Sequence, residues 1–452
     1  MKLNDQLNQY VKNEFNDFGV KSLSWKKLQA LWTNRFYTNS LYLLISNVLG
    51  AVLGFVFWIV AAHLYTTEQV GLASAVISAI GLLALFSCVG LSEGVVRFFP
   101  RQDADVNSFL NTILSILLVT SLLASIIFIV GLGFWSPKLL FIRQSSIYLV
   151  FFVIMTLFYV LSTILDSLYI ARRKAVFALI RSAIFNGLKL VFIILFALFI
   201  TSAGIMTAWG ISLGVALLTG VFLFFRYLQP HYRPAPVIKR VVLSDVVHFS
   251  MASYTASLLG SGTISLLPII VINLLGAEAN AYFYIAWSIG TVLQMIPSSI
   301  ATSLFAEGSN NEKSLAPNIK RSIKMGLILM VPSVIIIFVL AKWLLGIFNK
   351  DYADNAATLL RILVIAMIPN AINTVYLGIK KVEKNIKIIY LVSAALTVMD
   401  LGLTYILVPH MGINGAGIAW LASQIIVAIC ILFSFLFRHK SQISAAPNGN
   451  TG

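Results

Sequence analysis

Four charged residues stand inside long apolar runs of this sequence, and their types allow chemistry that their neighbours do not. Glu93 and Arg97 are four residues apart, one helical turn, so their side chains can meet on one helix face. Lys189 lies in NGLKLVFIILF with no acidic neighbour within a turn, and Asp400 lies in LVSAALTVMDLGL. In apolar surroundings a carboxylate can take up a proton or a sodium ion, and a cationic side chain can bind a phosphate.

Each of these residues also has a purely structural interpretation. Glu93 and Arg97 can neutralise each other near a helix end, with Arg97 as an interfacial anchor. Lys189 can extend toward the nearer membrane surface, and Asp400 can be hydrogen-bonded within its own half of the protein. A shift of 211 residues aligns Lys189 with Asp400, so the two side chains can also pair across a cavity. Alternatively they serve separately, Lys189 as a phosphate contact and Asp400 as a proton or sodium site.

The elements that carry these residues are membrane helices. Of 452 residues, 59% are hydrophobic and 11% are charged, about half the charged fraction of a soluble domain. Twelve apolar runs each provide the roughly 20 residues that a bilayer-spanning helix needs. The sequence therefore predicts an all-α integral membrane protein with spans at 39–64, 70–98, 109–133, 146–170, 177–200, 203–226, 244–275, 280–306, 321–344, 357–379, 386–408 and 412–437.

The distribution of charge predicts the topology. With the N-terminus in the cytoplasm, 26 of the 32 Lys and Arg residues fall on the cytoplasmic side, as the positive-inside rule requires. Four fall on the other side, which we call the predicted outer face: Lys138, Arg143, Lys342 and Lys350. We expect a multi-pass protein of the inner (cytoplasmic) membrane with both termini in the cytoplasm. The net charge of +16 is scattered over short loops, which excludes a nucleic-acid partner.

The chain divides into two similar halves. A shift of about 210 residues superimposes the first six spans on the last six, and HLYTTEQVG (63–71) falls on NLLGAEANA (273–281). Both halves then enter the membrane from the same side, as two parallel six-helix bundles, an arrangement found in alternating-access transporters. We predict five regions. They are a surface-lying amphipathic segment (1–38), a first lobe (39–226), a basic, proline-rich linker (227–243), a second lobe (244–437) and a cytoplasmic tail (438–452).

Further polar residues within the spans could line a cavity or form a gate. Candidate cavity residues besides Arg97 and Lys189 are Arg181, Asn47, Gln294 and Asn373. Arg97 aligns with Glu307, and these opposite charges could form a gate between the lobes, whereas Asp166 is expected to pair with the basic run 172–174. Gly260, Gly262 and Pro268 in the seventh span predict a hinge, although tight helix packing would use the same composition.

The segment FWIVAAHLYTTEQVGLASAVISAIGLLALFSCVGLSEGVVRFFP (57–100) resembles the start of polysaccharide flippases of the multidrug/oligosaccharidyl-lipid/polysaccharide exporter superfamily. Its features are Glu68 in a short loop before Val70 and Gly71, and a second helix that closes on Gly90 and Arg97. The resemblance implies two six-helix bundles around a central cavity. It also implies a polyprenyl-pyrophosphate-linked oligosaccharide as substrate, moved from the cytoplasmic to the outer leaflet by alternating access for surface polysaccharide biosynthesis.

This resemblance leaves two alternatives. A cation-coupled multidrug antiporter of the same superfamily would need cavity carboxylates, whereas the isolated charge in the first lobe is Lys189. A membrane polysaccharide polymerase or ligase usually carries a large outer loop, and the longest here has about twelve residues, so we expect no enzyme. We expect no cofactor and no metal site, with H⁺ or Na⁺ coupling through Glu93, Asp400 or Glu307. The expected partners are lipid-linked oligosaccharide, membrane lipid and polysaccharide assembly proteins, with the chain itself a monomer.

Overall fold

The computed structural model describes residues 35–101, 106–199, 203–236, 239–310, 315–383 and 385–444. Every regular element within these ranges is helical, and twelve segments are long and apolar enough to cross a membrane. The predicted fold class and number of spans are thus confirmed. The predicted surface segment, apart from its last four residues, lies outside the described residues.

The described part of the N-terminal lobe contains nine α-helices, of which three are short. They are α1 (Arg35–Leu64), α2 (Thr67–Cys88), α3 (Leu91–Phe98), α4 (Val106–Val130), α5 (Leu132–Trp135), α6 (Phe141–Gln144), α7 (Ser146–Ala171), α8 (Ala175–Phe199) and α9 (Gly204–Tyr227). Helix α8 packs between α1 and α9, and α7 packs against α4 and α2. The predicted outer loop 134–145 therefore contains α6 and the end of α5 rather than irregular chain.

The C-terminal lobe repeats this plan with seven helices. They are α10 (Arg240–Leu275), α11 (Ala277–Val292), α12 (Met295–Asn310), α13 (Leu315–Gly346), α14 (Lys350–Val382), α15 (Ile386–Met411) and α16 (Ile413–Ser444). Corresponding helices begin at a nearly constant offset: Thr67 and Ala277, Ala175 and Ile386, Gly204 and Ile413. Helix α14 begins seven residues before the predicted span, because Asn349 caps it by accepting a hydrogen bond from the Lys350 amide.

Two predicted continuous spans are broken in the structure. The second span divides at Val89 and Gly90, which both adopt left-handed backbone conformations. A side chain at Gly90 would place Cβ 2.8 Å from Cβ of Ser250, so the close packing of α10 also requires glycine there. The eighth span divides at Leu293 and Gln294, four residues before Pro297, whose ring cannot sit over the Leu293 carbonyl in a regular helix.

The hydrophobic core differs between the two membrane halves. Toward the predicted outer face one continuous cluster of buried residues joins both lobes and includes Phe57, Val70, Ala281 and Tyr352. Toward the predicted cytoplasmic face each lobe has clusters of its own, one in the N-terminal lobe and two in the C-terminal lobe. The lobes are therefore joined at the outer side and have separate cores at the cytoplasmic side.

The linker between the lobes is bound to the N-terminal one. Asn111 on α4 donates to the Arg233 carbonyl at 3.0 Å and accepts from the Tyr232 hydroxyl at 2.6 Å and the Ala235 amide at 3.2 Å. Burial raises the pKa of Tyr232, so its phenol keeps the proton that it donates. With α9 ending at Tyr227 and α10 beginning at Arg240, the linker ends before the predicted residue 243.

Candidate functional site

A polar cavity of about 670 Å³ lies mainly in the C-terminal lobe. Helices α10, α12, α14 and α15 build most of its wall, and half of the lining residues carry a hydroxyl or an amide. Lys381 and Glu93 mark the end nearer the predicted cytoplasmic face, while Asp400 lies near the middle of α15. The cavity brings together the predicted residues Glu93, Gly260, Gln294, Asn373 and Asp400.

Asp400 is the most unusual residue of this cavity. Its side chain is only 1% exposed, yet neither carboxylate oxygen has a hydrogen-bond partner among the described residues. Trp420 Nε1 and Asn373 Oδ1, which belong to two other lining residues, also lack partners there. A buried polar group without a partner costs free energy, and a buried charge costs far more. The cavity therefore favours a ligand or ion that can bind to these atoms.

An amide pair joins α14 and α16 in the cavity wall. Asn373 Nδ2 donates to the Gln424 side-chain oxygen at 2.7 Å and to the Gln424 carbonyl at 3.0 Å. The same wall carries Trp420, whose ring meets Trp287 edge to face at 4.9 Å. These bonds orient Asn373 so that its side-chain oxygen can still accept a hydrogen bond from a ligand. The sequence singled out Asn373 but gave no signal for Gln424, which lies 51 residues away.

The expected ion pair of Glu93 and Arg97 does not form. Both side chains are exposed on α3, and no salt bridge joins them in the part of the chain that the structure describes. Glu93 instead lines the polar cavity, and the Arg97 guanidinium lies 5.7 Å from the Phe98 ring centroid. Glu307, the proposed gate partner of Arg97, belongs to α12, but its side chain lies outside the described residues.

Lys189 does not pair with Asp400 in this structure. It is buried within the N-terminal lobe, and its ammonium nitrogen lies 5.2 Å from the Phe57 ring centroid and 5.0 Å from that of Phe185. It reaches toward α1, where a Cβ on Gly54 would lie 3.8 Å from the nitrogen. No carboxylate pairs with it among the described residues. The two predicted central charges therefore occupy separate lobes.

Arg181 is already neutralised by an acidic partner. Its guanidinium binds Asp166 with both arms of the fork, Nε to Oδ1 at 2.8 Å and Nη2 to Oδ2. The expected pairing of Asp166 with residues 172–174 is therefore wrong: its partner is Arg181, 15 residues further along the chain on α8, whose stem packs over Gly220. This geometry makes Arg181 less available to a substrate than Lys189.

The remaining predicted residues are dispersed. Asn47 is exposed on α1, away from the polar cavity. Gly260 lines the cavity with open space beside it, and a Cβ on Gly262 would lie 3.8 Å from Leu85 of α2. Pro268 lies within α10, which is one helix from Arg240 to Leu275.

At the predicted outer face, contacts of Gly71 and Ser74 on α2 with Ala277 and Asn280 on α11 hold the two lobes together. We call these contacts the outer seal, and the sequence did not predict them. Asn280 of α11 donates to the Gly71 carbonyl at 2.8 Å and to the Ser74 hydroxyl at 3.1 Å. A Cβ on Gly71 would lie 1.7 Å from the Ala277 carbonyl oxygen, so the backbones of α2 and α11 touch. Close by, Asn273 donates to the Trp135 carbonyl at 2.7 Å.

Comparison with known proteins agrees with this architecture. The family described as "Polysaccharide biosynthesis protein" matches residues 36–305, more than half of the chain. The chain belongs to this family. A second family, described as MatE, matches residues 256–406. Together these matches place the chain in the multidrug/oligosaccharidyl-lipid/polysaccharide (MOP) superfamily.

A partial relative is known from Shigella flexneri. This protein, named "Putative O-antigen transporter", is 28% identical over 166 residues, which are 36% of this chain and 40% of the relative. The chain thus matches less than half of that relative's length.

Solved structures share the fold over nearly the whole chain. One is an inward-facing multidrug resistance MATE family transporter of the MOP superfamily, with 18% identity and a TM-score of 0.67, covering 90% of this chain and 99% of that one. Another is the lipid II flippase MurJ in an inward closed conformation, with 16% identity and a TM-score of 0.70, covering 87% of each chain. At these identities the likeness concerns the fold alone.

Proposed function

We propose that this MOP-superfamily membrane protein is a flippase for polyprenyl-pyrophosphate-linked oligosaccharide. It moves this substrate from the cytoplasmic to the outer leaflet by alternating access, and it performs no covalent chemistry. The membrane is the inner one, with both termini in the cytoplasm. The observation that carries the proposal is the combination of Lys189, a buried cation without a carboxylate, and a separate cavity lined with hydroxyls and amides.

The two lobes then divide the substrate between them. The pyrophosphate is attracted by Lys189, because a desolvated ammonium without a counterion favours an anion. The glycan hydroxyls bind the amides and hydroxyls of the C-terminal cavity, and the polyprenyl tail stays in the lipid between the lobes. The family match over residues 36–305 and the partial O-antigen transporter relative support this substrate class. Polysaccharide assembly proteins would receive the product.

Ion coupling belongs to the polar cavity in this proposal. Asp400 has two carboxylate oxygens without partners in a polar cavity, so binding of H⁺ or Na⁺ would remove the cost of its burial. Glu93 lines the same cavity at its cytoplasmic end and is a second candidate.

Complementation tests this proposal. A flippase-deficient host expressing wild type, Lys189→Ala, Asp400→Ala or the double variant is scored for surface polysaccharide, with membrane protein levels controlled. We expect both single variants to lose export. Lys342→Ala is the matched control, because Lys342 is an exposed lysine paired with Asp354 at 2.9 Å and should retain wild-type export. Normal export by both single variants would overturn the assigned roles.

One observation favours a second function, that of a cation-coupled multidrug antiporter. The C-terminal cavity contains the carboxylates Glu93 and Asp400, which would attract a cationic drug, and the MatE match covers this lobe. Efflux of a cationic dye from cells that express the protein distinguishes the functions. Dye efflux that requires Asp400 but not Lys189, without complementation by wild type, would replace the flippase proposal.

A further inference from the structure

A second cavity, of about 420 Å³, lies within the N-terminal lobe and is almost entirely apolar. Helices α2, α7 and α9 and the short helix α6 form it, near the predicted outer face. Its inner wall consists of buried residues such as Val76, Ile80 and Phe152. A dry apolar cavity of about 150 Å³ already holds benzene, so this one has room for a longer hydrocarbon.

The mouth of this cavity faces the bilayer. Ile147 on α7 and Ile211 on α9 line the cavity, yet they are 78% and 37% exposed on helices that cross the membrane. Their exposed surface therefore contacts lipid chains rather than water. Every lining residue belongs to the N-terminal lobe, so the cavity has no wall at the boundary between the lobes.

Two cations lie on the outer loop that contributes Phe141 and Ile142 to the cavity lining. Phe141 and Ile142 line the cavity and are followed directly by Arg143, and Lys138 lies on the same loop. Both cations are exposed and have no ion pair in the described ranges, unlike the outer-face Lys342, which pairs with Asp354. They are two of the four basic residues that depart from the positive-inside distribution. The exposed Phe134 and Trp135 fit a loop at the membrane interface.

We propose that this cavity binds one hydrocarbon chain of an anionic glycerophospholipid from the outer-side leaflet, with the lipid phosphate against Arg143 and Lys138. The apolar cavity accommodates the chain, and the neighbouring cations select the headgroup charge. The occupant is a bulk phospholipid rather than the polyprenyl carrier, because the lining belongs to one lobe whereas the proposed path of the carrier runs between the two lobes. This inference is independent of the transported substrate.

Native mass spectrometry of the purified full chain tests the site, with phosphatidylglycerol, phosphatidylethanolamine or undecaprenyl phosphate added. Wild type should retain one phosphatidylglycerol. Ile211→Trp, which blocks the mouth, should reduce that retention at least fivefold. The matched control is Leu218→Trp, two turns along the same helix and 66% exposed to lipid, which should behave as wild type. Ile147→Trp is a second blocking variant should Ile211→Trp fail to fold.

The headgroup is tested separately. Arg143→Gln should reduce phosphatidylglycerol retention to the level of phosphatidylethanolamine, whereas Lys342→Gln, at another outer-face cation, should leave the preference intact. Equal retention by Ile211→Trp and Leu218→Trp would overturn the site. Retention of undecaprenyl phosphate in place of phosphatidylglycerol would overturn the assignment to a bulk phospholipid.

Discussion

Arg181 and Lys189 are two cations of one helix, two turns apart, with different surroundings. Arg181 is bound through both arms of its fork by Asp166, whereas Lys189 contacts the faces of Phe57 and Phe185. A desolvated cation–π contact contributes about 2 kcal/mol, which helps to hold an ammonium in place without cancelling its charge. The positive charge of Lys189 is therefore available to attract an anionic ligand, whereas that of Arg181 is neutralised by Asp166.

The Asp166–Arg181 pair should behave as a structural unit. Asp166→Asn removes the partner of a buried guanidinium and should lower the free energy of unfolding by about 1.5–3 kcal/mol, the contribution of hydrogen bonds to a charged group. The double variant Asp166→Asn/Arg181→Gln should recover part of that loss, because no uncompensated charge remains. Thermal unfolding in detergent measures both. A double variant less stable than Asp166→Asn would contradict the structural role and return Arg181 to the candidate substrate site.

The sequence identified individual cavity residues more reliably than it identified the contacts between them. Asp400, Glu93, Gln294 and Asn373 were each selected because a polar group inside an apolar run needs a reason, and the structure gathers them around one cavity. The pairings were missed because they join positions far apart along the chain. Asn373 bonds with Gln424 across 51 residues, and no local spacing rule encodes that contact.

At the scale of helices, α2 and α11 determine how the lobes meet. Gly71→Ala would place a methyl group 1.7 Å from the Ala277 carbonyl oxygen, so the two helices must separate. We expect a cysteine at the buried position Ser74, which contacts Asn280, in a protein lacking Cys88 and Cys430, to be protected from an impermeant thiol reagent in the parent and labelled in Gly71→Ala.

Gly81→Ala is the matched control on the same helix. A Cβ at Gly81 would lie 3.8 Å from the Ser265 hydroxyl, an ordinary contact with the opposite lobe. Protection of the cysteine should therefore persist in this variant. Equal labelling in both variants would mean that the contact between Gly71 and Ala277 does not control closure.

The helices themselves were predictable, and their interruptions were not. Twelve runs of sufficient length determined the spans, because a bilayer requires each one to satisfy its backbone internally. The break at Val89 and Gly90 depends on the approach of Ser250, which is distant in sequence. The break at Leu293 had a local sequence signal in Pro297. A proline does not always break a membrane helix, however, because α10 continues through Pro268.

For the whole molecule, the proposed alternating access requires the contacts between α2 and α11 at the outer face to open. Ser74 and Asn280 are joined by a hydrogen bond of 3.1 Å, so cysteines at these positions should form a disulfide on oxidation. We expect the oxidised Ser74→Cys/Asn280→Cys protein to lose export, and a reductant to restore it. Complementation before and after reduction measures this, with each single-cysteine variant as control. Full export by the cross-linked protein would exclude alternating access through this seal.

The continuous outer core has a bioenergetic consequence. A membrane protein with a polar cavity of about 670 Å³ risks leaking protons and short-circuiting the membrane potential. The layer around Phe57, Val70, Ala281 and Tyr352 is buried and continuous across both lobes, and the amide of Asn280 within it already bonds Gly71 and Ser74, so a file of water molecules would find little to bond with there. For the proposed flippase of the inner membrane, idle copies in this closed state would therefore not dissipate the proton-motive force.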